Sequence, residues 1–200
     1  MTQSPTDIIH FWFGDSTDDA SVAHRQAALW WSKNPAVDAQ IRERFEATLL
    51  AAAAGSLDAW AESATGRLAL ILLTDQMTRN MYRDTSQAFA FDALALHWCK
   101  SGLELRMDLQ LRPIQRVFFY LPLEHSESRE DQRLSVQLFG ELAASVTPEL
   151  KSMFAGYLDF AQRHQAIIER FDRFPHRNTL LNRVSSTEEL AFLQQPGSGF

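Results

Sequence analysis

Three stretches of this chain set fixed-geometry hydrogen-bond donors beside titratable groups. The densest runs from Arg170 to Asn178 and reads Arg-Phe-Asp-Arg-Phe-Pro-His-Arg-Asn. A solvated charge run does not need the phenylalanines, and an ordinary core stretch has no use for the arginines. Polar groups held in place by apolar neighbours are what a preorganised binding site requires. Arg170, Arg173 and Arg177 carry planar forks that grip a carboxylate or phosphate at two points. Asn178 can fix the orientation of what they hold, and His176 can exchange a proton near neutral pH. Upstream, His164 shares a helix face with Ile168 and Phe171 and joins this group.

The second stretch is Asp75 to Arg83. On an unbroken helix Asp75, Arg79 and Arg83 fall at i, i+4 and i+8, with Gln76 and Asn80 beside them, as one polar stripe at the end of the apolar Leu68–Leu73 run. The third is Arg116 to Glu127, where His125 and Glu127 follow a proline-broken helix, and loops at helix ends commonly hold functional side chains. Here His125, like His176, is a candidate acid–base group and Glu127 its orienter, while Arg116 adds a further anion-binding fork. The three stretches are expected to converge on one groove.

Each stretch also has a structural reading. The Asp75–Arg83 stripe could be a surface ion-pair ladder, worth little. The arginines near Pro175 could bond the orphan carbonyls of helix C-termini. His-x-Glu has metal-site character, but no second histidine stands four residues from either His125 or His176, so no metal and no other cofactor is expected. Nucleophile and nucleotide motifs (Gly-x-Ser-x-Gly, the Walker loop, Gly-x-Gly-x-x-Gly) are absent from the sequence. The crowding of positive charge around Arg177 predicts that Arg177→Ala leaves stability unchanged or raises it.

The elements that must position these groups read as helices. A segment from Ile8 to Phe13 is stopped by Gly14, a helix that Asp18 or Asp19 can cap runs to Trp31, Asn34-Pro35 starts one that runs to Ala54, and Ser56 starts a short helix through Trp60. Further helices are expected from Gly66 to Arg79, from Ser86 to Ser101 with Gly102 as the stop, and from Pro113 to about Pro122. Two more run from Ser128 to Val146 and from Pro148 to Phe171, and Ser186 to Glu189 forms a capping box before Leu190. Strand alternation and hairpin turns are missing. The expected fold is all-α, eight or nine helices packed as antiparallel pairs, in one domain over 1–200 with a mobile tail at 196–200. Phe118-Phe119-Tyr120, Trp30-Trp31 and Phe11-Trp12-Phe13 belong to its core.

The formal net charge of −6 argues against a nucleic-acid partner. No apolar run is long enough to span a bilayer, and the single cysteine, Cys99, fits the cytoplasm. Basic charge is carried by sixteen arginines against three lysines, and twelve of those arginines lie between Arg79 and Arg183.

Several of these stretches carry a family resemblance. They are Ile8 to Gly14, Trp30 through Phe45, Leu73 to Arg83, Phe89 to Asp92, Phe118 to Glu127, His164 to Asn178 and Ser185 to Glu189. Over nearly its whole length the chain resembles the bacterial domain-of-unknown-function family 924, which implies a tetratricopeptide-like all-helical fold and no established activity. The family usually has glycine where Asp172 stands and commonly proline where Thr78 stands. The residues therefore point to an uncharacterised helical protein binding a small or extended carboxylate- or phosphate-bearing ligand, with a hydrolase or transferase as the class if His125 or His176 works as acid or base. The competing reading is a tetratricopeptide-like module that clamps a peptide carboxylate, its polar network serving the structure.

Overall fold

The computed structural model describes residues 2–199. Helix starts follow the side chains that can satisfy free backbone amides. Helix α1 (Pro5–Phe13) opens on Ser4, whose hydroxyl accepts from the Asp7 amide while the Asp7 carboxylate accepts from the Ser4 amide. Asp18 caps α2 (Asp19–Trp31), and the Asn34 side chain caps α3 (Pro35–Ala53), with Pro35 at the first helical position. Ser63 caps α4 (Ala64–Ile71). A π-helical turn, Leu72–Met77, continues it into α5 (Thr78–Met81). Then follow α6 (Asp92–Glu104), α7 (Pro113–Glu124), α8 (Arg129–Ser145) and α9 (Lys151–Phe171), and α10 (Thr187–Leu193) carries the expected Ser186/Glu189 capping box. Short 3₁₀ turns lie between some of them, including Ser86–Phe89 before α6 and Pro175–Arg177 after α9.

No strand occurs among the described residues, and the chain is an all-α array, as the helical periodicity predicts. Short links make sequence neighbours into spatial neighbours: α8 packs on α9, and α7 on α8. The main core joins Trp12, Phe13 and Phe45 to Phe118, Phe119, Tyr120, Phe139 and Phe154. A smaller cluster of Ile167, Ile168 and Phe174, with Phe171 and Phe192 against it, lies under the C-terminal segment. No helix among the described residues is long and apolar enough to cross a membrane.

Four details depart from the sequence reading. Gly102 does not stop α6 but lies inside it, because a Cβ there would sit 2.5 Å from Arg67 Cδ and 2.6 Å from Phe119 Cζ. Pro122 does not end α7 but is tolerated within it, and the helix runs on to Glu124. Trp31 is 53% exposed, unlike its neighbour Trp30. The largest departure is the π turn. Its wider winding leaves carbonyls short of their usual partners. Thr74 Oγ1 donates to Leu70 O at 2.7 Å, and Thr78 Oγ1 to Asp75 O at 2.9 Å. Helix α5 then ends at Met81, so Arg83 falls outside the helix and the Asp75–Arg79–Arg83 stripe is broken.

Candidate active site

The π turn, the C-terminus of α7, the N-terminus of α6 and the Pro175–Arg177 turn meet around one buried carboxylate. Asp75 has no exposed surface. Its Oδ1 lies 2.7 Å from His125 Nδ1 and 3.2 Å from Arg79 Nη1, and its Oδ2 accepts from the Gln76 amide. Arg79 turns its other edge to Asp92, with Nη1 and Nη2 donating at 3.1 and 3.2 Å. Arg177, 6% exposed, donates from Nη1 to the His125 carbonyl at 3.0 Å and to Asp92 at 3.5 Å. Its guanidinium lies 4.4 Å from the ring centre of Phe174 and 4.8 Å from that of Phe89. Arg177 Nε is buried without a hydrogen-bond partner among the described residues.

Asp92, His125 and Arg177 border a cleft of about 320 Å³, with Asp75 and Arg79 behind them. Phe89, Ala93, Leu96, Pro122 and Leu181 supply its apolar wall, and Asp92, His125, Ser126, Glu127 and Arg177 its polar one. With Nδ1 engaged by Asp75, Nε2 is the nitrogen His125 has left for the cleft.

The electrostatics assign charges. Burial works to raise the Asp75 carboxyl, but Arg79 and then His125 outweigh it and hold Asp75 well below the usual carboxylate range. Burial, then Arg79, pushes His125 down, so the ring is neutral at neutral pH. An ionised Asp75 facing a neutral imidazole fixes the proton on Nδ1 and leaves a lone pair on Nε2. Burial also lowers Arg79, but Asp75 and then Asp92 reverse that and keep it charged. Burial, then Arg79, brings Arg177 down to about 10, which still leaves it charged at pH 7.

Behind His125 lies a second acid–imidazole pair. His164 Nδ1 donates to Phe160 O at 2.9 Å and stands 3.2 Å from Glu124 Oε1, and the His125 and His164 ring centres are 6.2 Å apart. Burial, reinforced by Asp75, raises Glu124 to about 8, so at pH 7 it keeps its proton. Burial lowers His164 to about 3 and His176 to about 4. The consequence for stability has opposite signs on the two sides of pH 6.5. Between roughly 4 and 6.5 the unfolded chain binds protons on histidines that the folded chain leaves neutral, so stability rises with pH. Glu124 ionises from 4.5 upward when unfolded but only near 8 when folded, so above 6.5 stability falls as pH rises, by about 1.4 kcal/mol per unit at most. Urea unfolding across pH 5 to 8.5 should show a maximum near 6.5. Glu124→Gln should flatten the limb above it, and an unchanged limb would place the responsible group elsewhere.

Of the residues singled out from sequence, Asp75, Gln76, Arg79, His125, His164 and Arg177 come together. His176 is half-buried against Phe174, their ring centres 5.6 Å apart. Glu127 reaches the cleft, but its carboxylate receives both Arg183 Nη atoms and the Phe174 amide. The orienter of His125 is therefore Asp75, not Glu127. The other residues point elsewhere. Asn80 and Arg83 both close on Asp38 of α3, at 2.8 and 2.7 Å. Arg116 bonds the Tyr120 hydroxyl beside Asp108. Arg170 pairs with Glu188 and Arg173 with Glu189, in a separate and more open depression, and Asn178 Nδ2 donates to Ser185 Oγ. Three residues were missed. Asp92 opens a helix, where an acid reads simply as a partner for the helix dipole. Glu124 ends the apolar Phe118–Leu123 run and reads as the first exposed position. Arg183 stands alone in a polar segment with no periodic pattern. Among the described residues no three His, Cys, Asp or Glu side chains group as a metal ion would need.

The array and its buried Asp75–His125–Arg79 centre define a helical protein with a polar site at the meeting of four segments. The chain belongs to the family described as bacterial protein of unknown function (DUF924), whose model matches residues 8–197. It is similar to a solved structure of a protein of unknown function from Agrobacterium tumefaciens, with 34% sequence identity over 95% of this chain and 96% of that one and a TM-score of 0.81. A comparison with curated proteins finds no match.

Proposed function

We propose that this chain is an acid–base enzyme, a hydrolase or transferase, acting on a small anionic substrate held in the cleft between α6, α7 and the Pro175–Arg177 turn. The observation that carries the reading is the 2.7 Å contact of His125 Nδ1 with the buried, ionised Asp75, which leaves Nε2 as the base on a residue whose backbone carbonyl Arg177 holds. In hydrolysis Nε2 takes a proton from water as the water oxygen attacks the electrophilic centre, then returns it to the leaving group. Asp75 stays ionised throughout and steadies the imidazolium that forms. Arg177 holds the anionic part of the substrate.

A peptide clamp of tetratricopeptide-like design would set free forks along an open groove. The successive helix pairs support reading the array as tetratricopeptide-like. The forks do not fit a clamp: Arg83, Arg170 and Arg173 are each closed on an acid, and of the arginines with an unpartnered buried Nε, Arg177 and Arg183, only Arg177 lines the cleft. The buried Cys99 thiol, raised well above its usual value by burial, fits work in a reducing cytoplasm.

The test is turnover of nitrophenyl hydrogen succinate and nitrophenyl phosphate by the wild-type chain and by His125→Gln. At least one should be hydrolysed, and the variant should be slower by roughly 10²–10⁴ while its melting temperature holds. Equal rates in the two proteins, or none in either, would overturn the reading.

A further inference from the structure

The chemistry of the cleft narrows the substrate class, and this step rests on the catalytic reading just given. Two observations on the same cleft decide it. The first is the charge balance. One arginine, Arg177, lines the cleft with two carboxylates, Asp92 and Glu127; behind them Arg79 pairs with Asp75 and Asp92, and Arg183 with Glu127. Arg79 is engaged by Asp75 and Asp92, and the two terminal nitrogens of Arg183 are engaged by Glu127 and Phe174 O. Both hydrogen bonds of Arg177 leave from Nη1, and its Nε, in a side chain only 7% exposed, has no partner among the described residues. Arg183 Nε also lacks a partner among the described residues, but Arg183 does not line the cleft, so the donor capacity left there is one guanidinium edge, which suits one carboxylate. Asp92 and Glu127 on the same wall repel a second negative charge.

The second observation is the opposite wall. Phe89, Ala93, Leu96, Pro122 and Leu181 come from four different segments and offer only carbon to whatever fills the cleft. Phe89 also lies against the face of Arg177, so the hydrocarbon wall begins where the anion would sit. A hydrocarbon chain of a few carbons attached to a carboxylate would cover that apolar lining.

We infer that the cleft takes a monocarboxylate with a short apolar body, its carboxylate on the free edge of Arg177 and its hydrocarbon against Phe89, Leu96 and Leu181, in preference to phosphates and dicarboxylates. Calorimetric titration of the full-length chain with hexanoate, adipate, hexan-1-ol and inorganic phosphate tests this. Hexanoate should bind at least tenfold more tightly than each of the others. Arg177→Lys should weaken hexanoate binding about tenfold or more. Because Arg177 is buried and its variant could fail to fold, Ala93→Glu provides a second arm. Ala93 is exposed on α6 at the cleft, and a carboxylate there should also weaken hexanoate about tenfold while leaving the fold unchanged. Tighter binding of adipate or phosphate than of hexanoate, weakened by Arg177→Lys, would overturn the substrate class while the anion-site reading stands. Hexan-1-ol binding as well as hexanoate would remove the role of Arg177. Binding of none of the four would overturn both readings, as would hexanoate binding unaffected by either variant.

Discussion

Asp75→Asn should unfold at a far lower urea concentration than the wild-type chain, with a loss of about 3–5 kcal/mol. The Asp75 carboxylate is met from three sides at once, accepting from Gln76, bonded to His125 and ion-paired with Arg79 at 3.2 Å, with no exposed surface of its own. An amide offers one oxygen, and its NH₂ must face a donor, so the half-buried Arg79 loses one of the two acids that hold its charge. The variant should also lose catalysis, because an amide oxygen or NH₂ can accept from or donate to Nδ1 and no longer fixes the tautomer that leaves the Nε2 lone pair free. If Asp75→Asn melts within a degree or two of wild type, Asp75 is not the keystone of the buried network.

Arg177→Ala should be nearly as costly, by roughly 2–3 kcal/mol in the same assay, the scale of hydrogen bonds to charged groups. This reverses the sequence expectation that stability would hold or rise. Crowded positive charge suggests repulsion, but the arginine is buried, caps the α7 C-terminus through the His125 carbonyl, reaches Asp92 and lies between two phenylalanine rings. Arg177→Lys should recover only part, since an ammonium offers no planar edge for the rings or for a second acceptor. An alanine variant as stable as wild type would show that these contacts add nothing to the folded state.

Helix positions were legible in the sequence because their signals are local. Asn34 and Ser186 cap where their side chains can reach free amides, the residues narrow the cap of α2 to Asp18 or Asp19, and Pro35 and Pro113 sit at first helical positions. Pro122 and Gly102 were misread as stops because their roles depend on packing. Gly102 answers to Arg67 and Phe119, far away in the chain. At the site, His125, Asp75, Arg79 and Arg177 were visible as residue types with the right chemistry. Their pairing was not. The π turn is a departure in winding that no residue pattern announces, and it decides which neighbours Asp75 meets. Asp38 is an ordinary first-turn acid in the sequence, yet it draws Asn80 and Arg83 away from the cleft. Asp172 shows the reverse: the resemblance marks that position for glycine, and it adopts φ +58° at the C-cap of α9, the conformation glycine favours.

The central claim is that His125 is a neutral base, protonated on Nδ1 against Asp75 and open on Nε2 toward the cleft. Nitrogen NMR of the wild-type chain with labelled histidine, His125 assigned by comparison with His125→Gln, reads this directly at pH 7. The account predicts a protonated Nδ1 with its proton shifted far downfield by the short contact to Asp75, and an unprotonated Nε2. A ring that carries its proton on Nε2, or that is doubly protonated at pH 7, would contradict it.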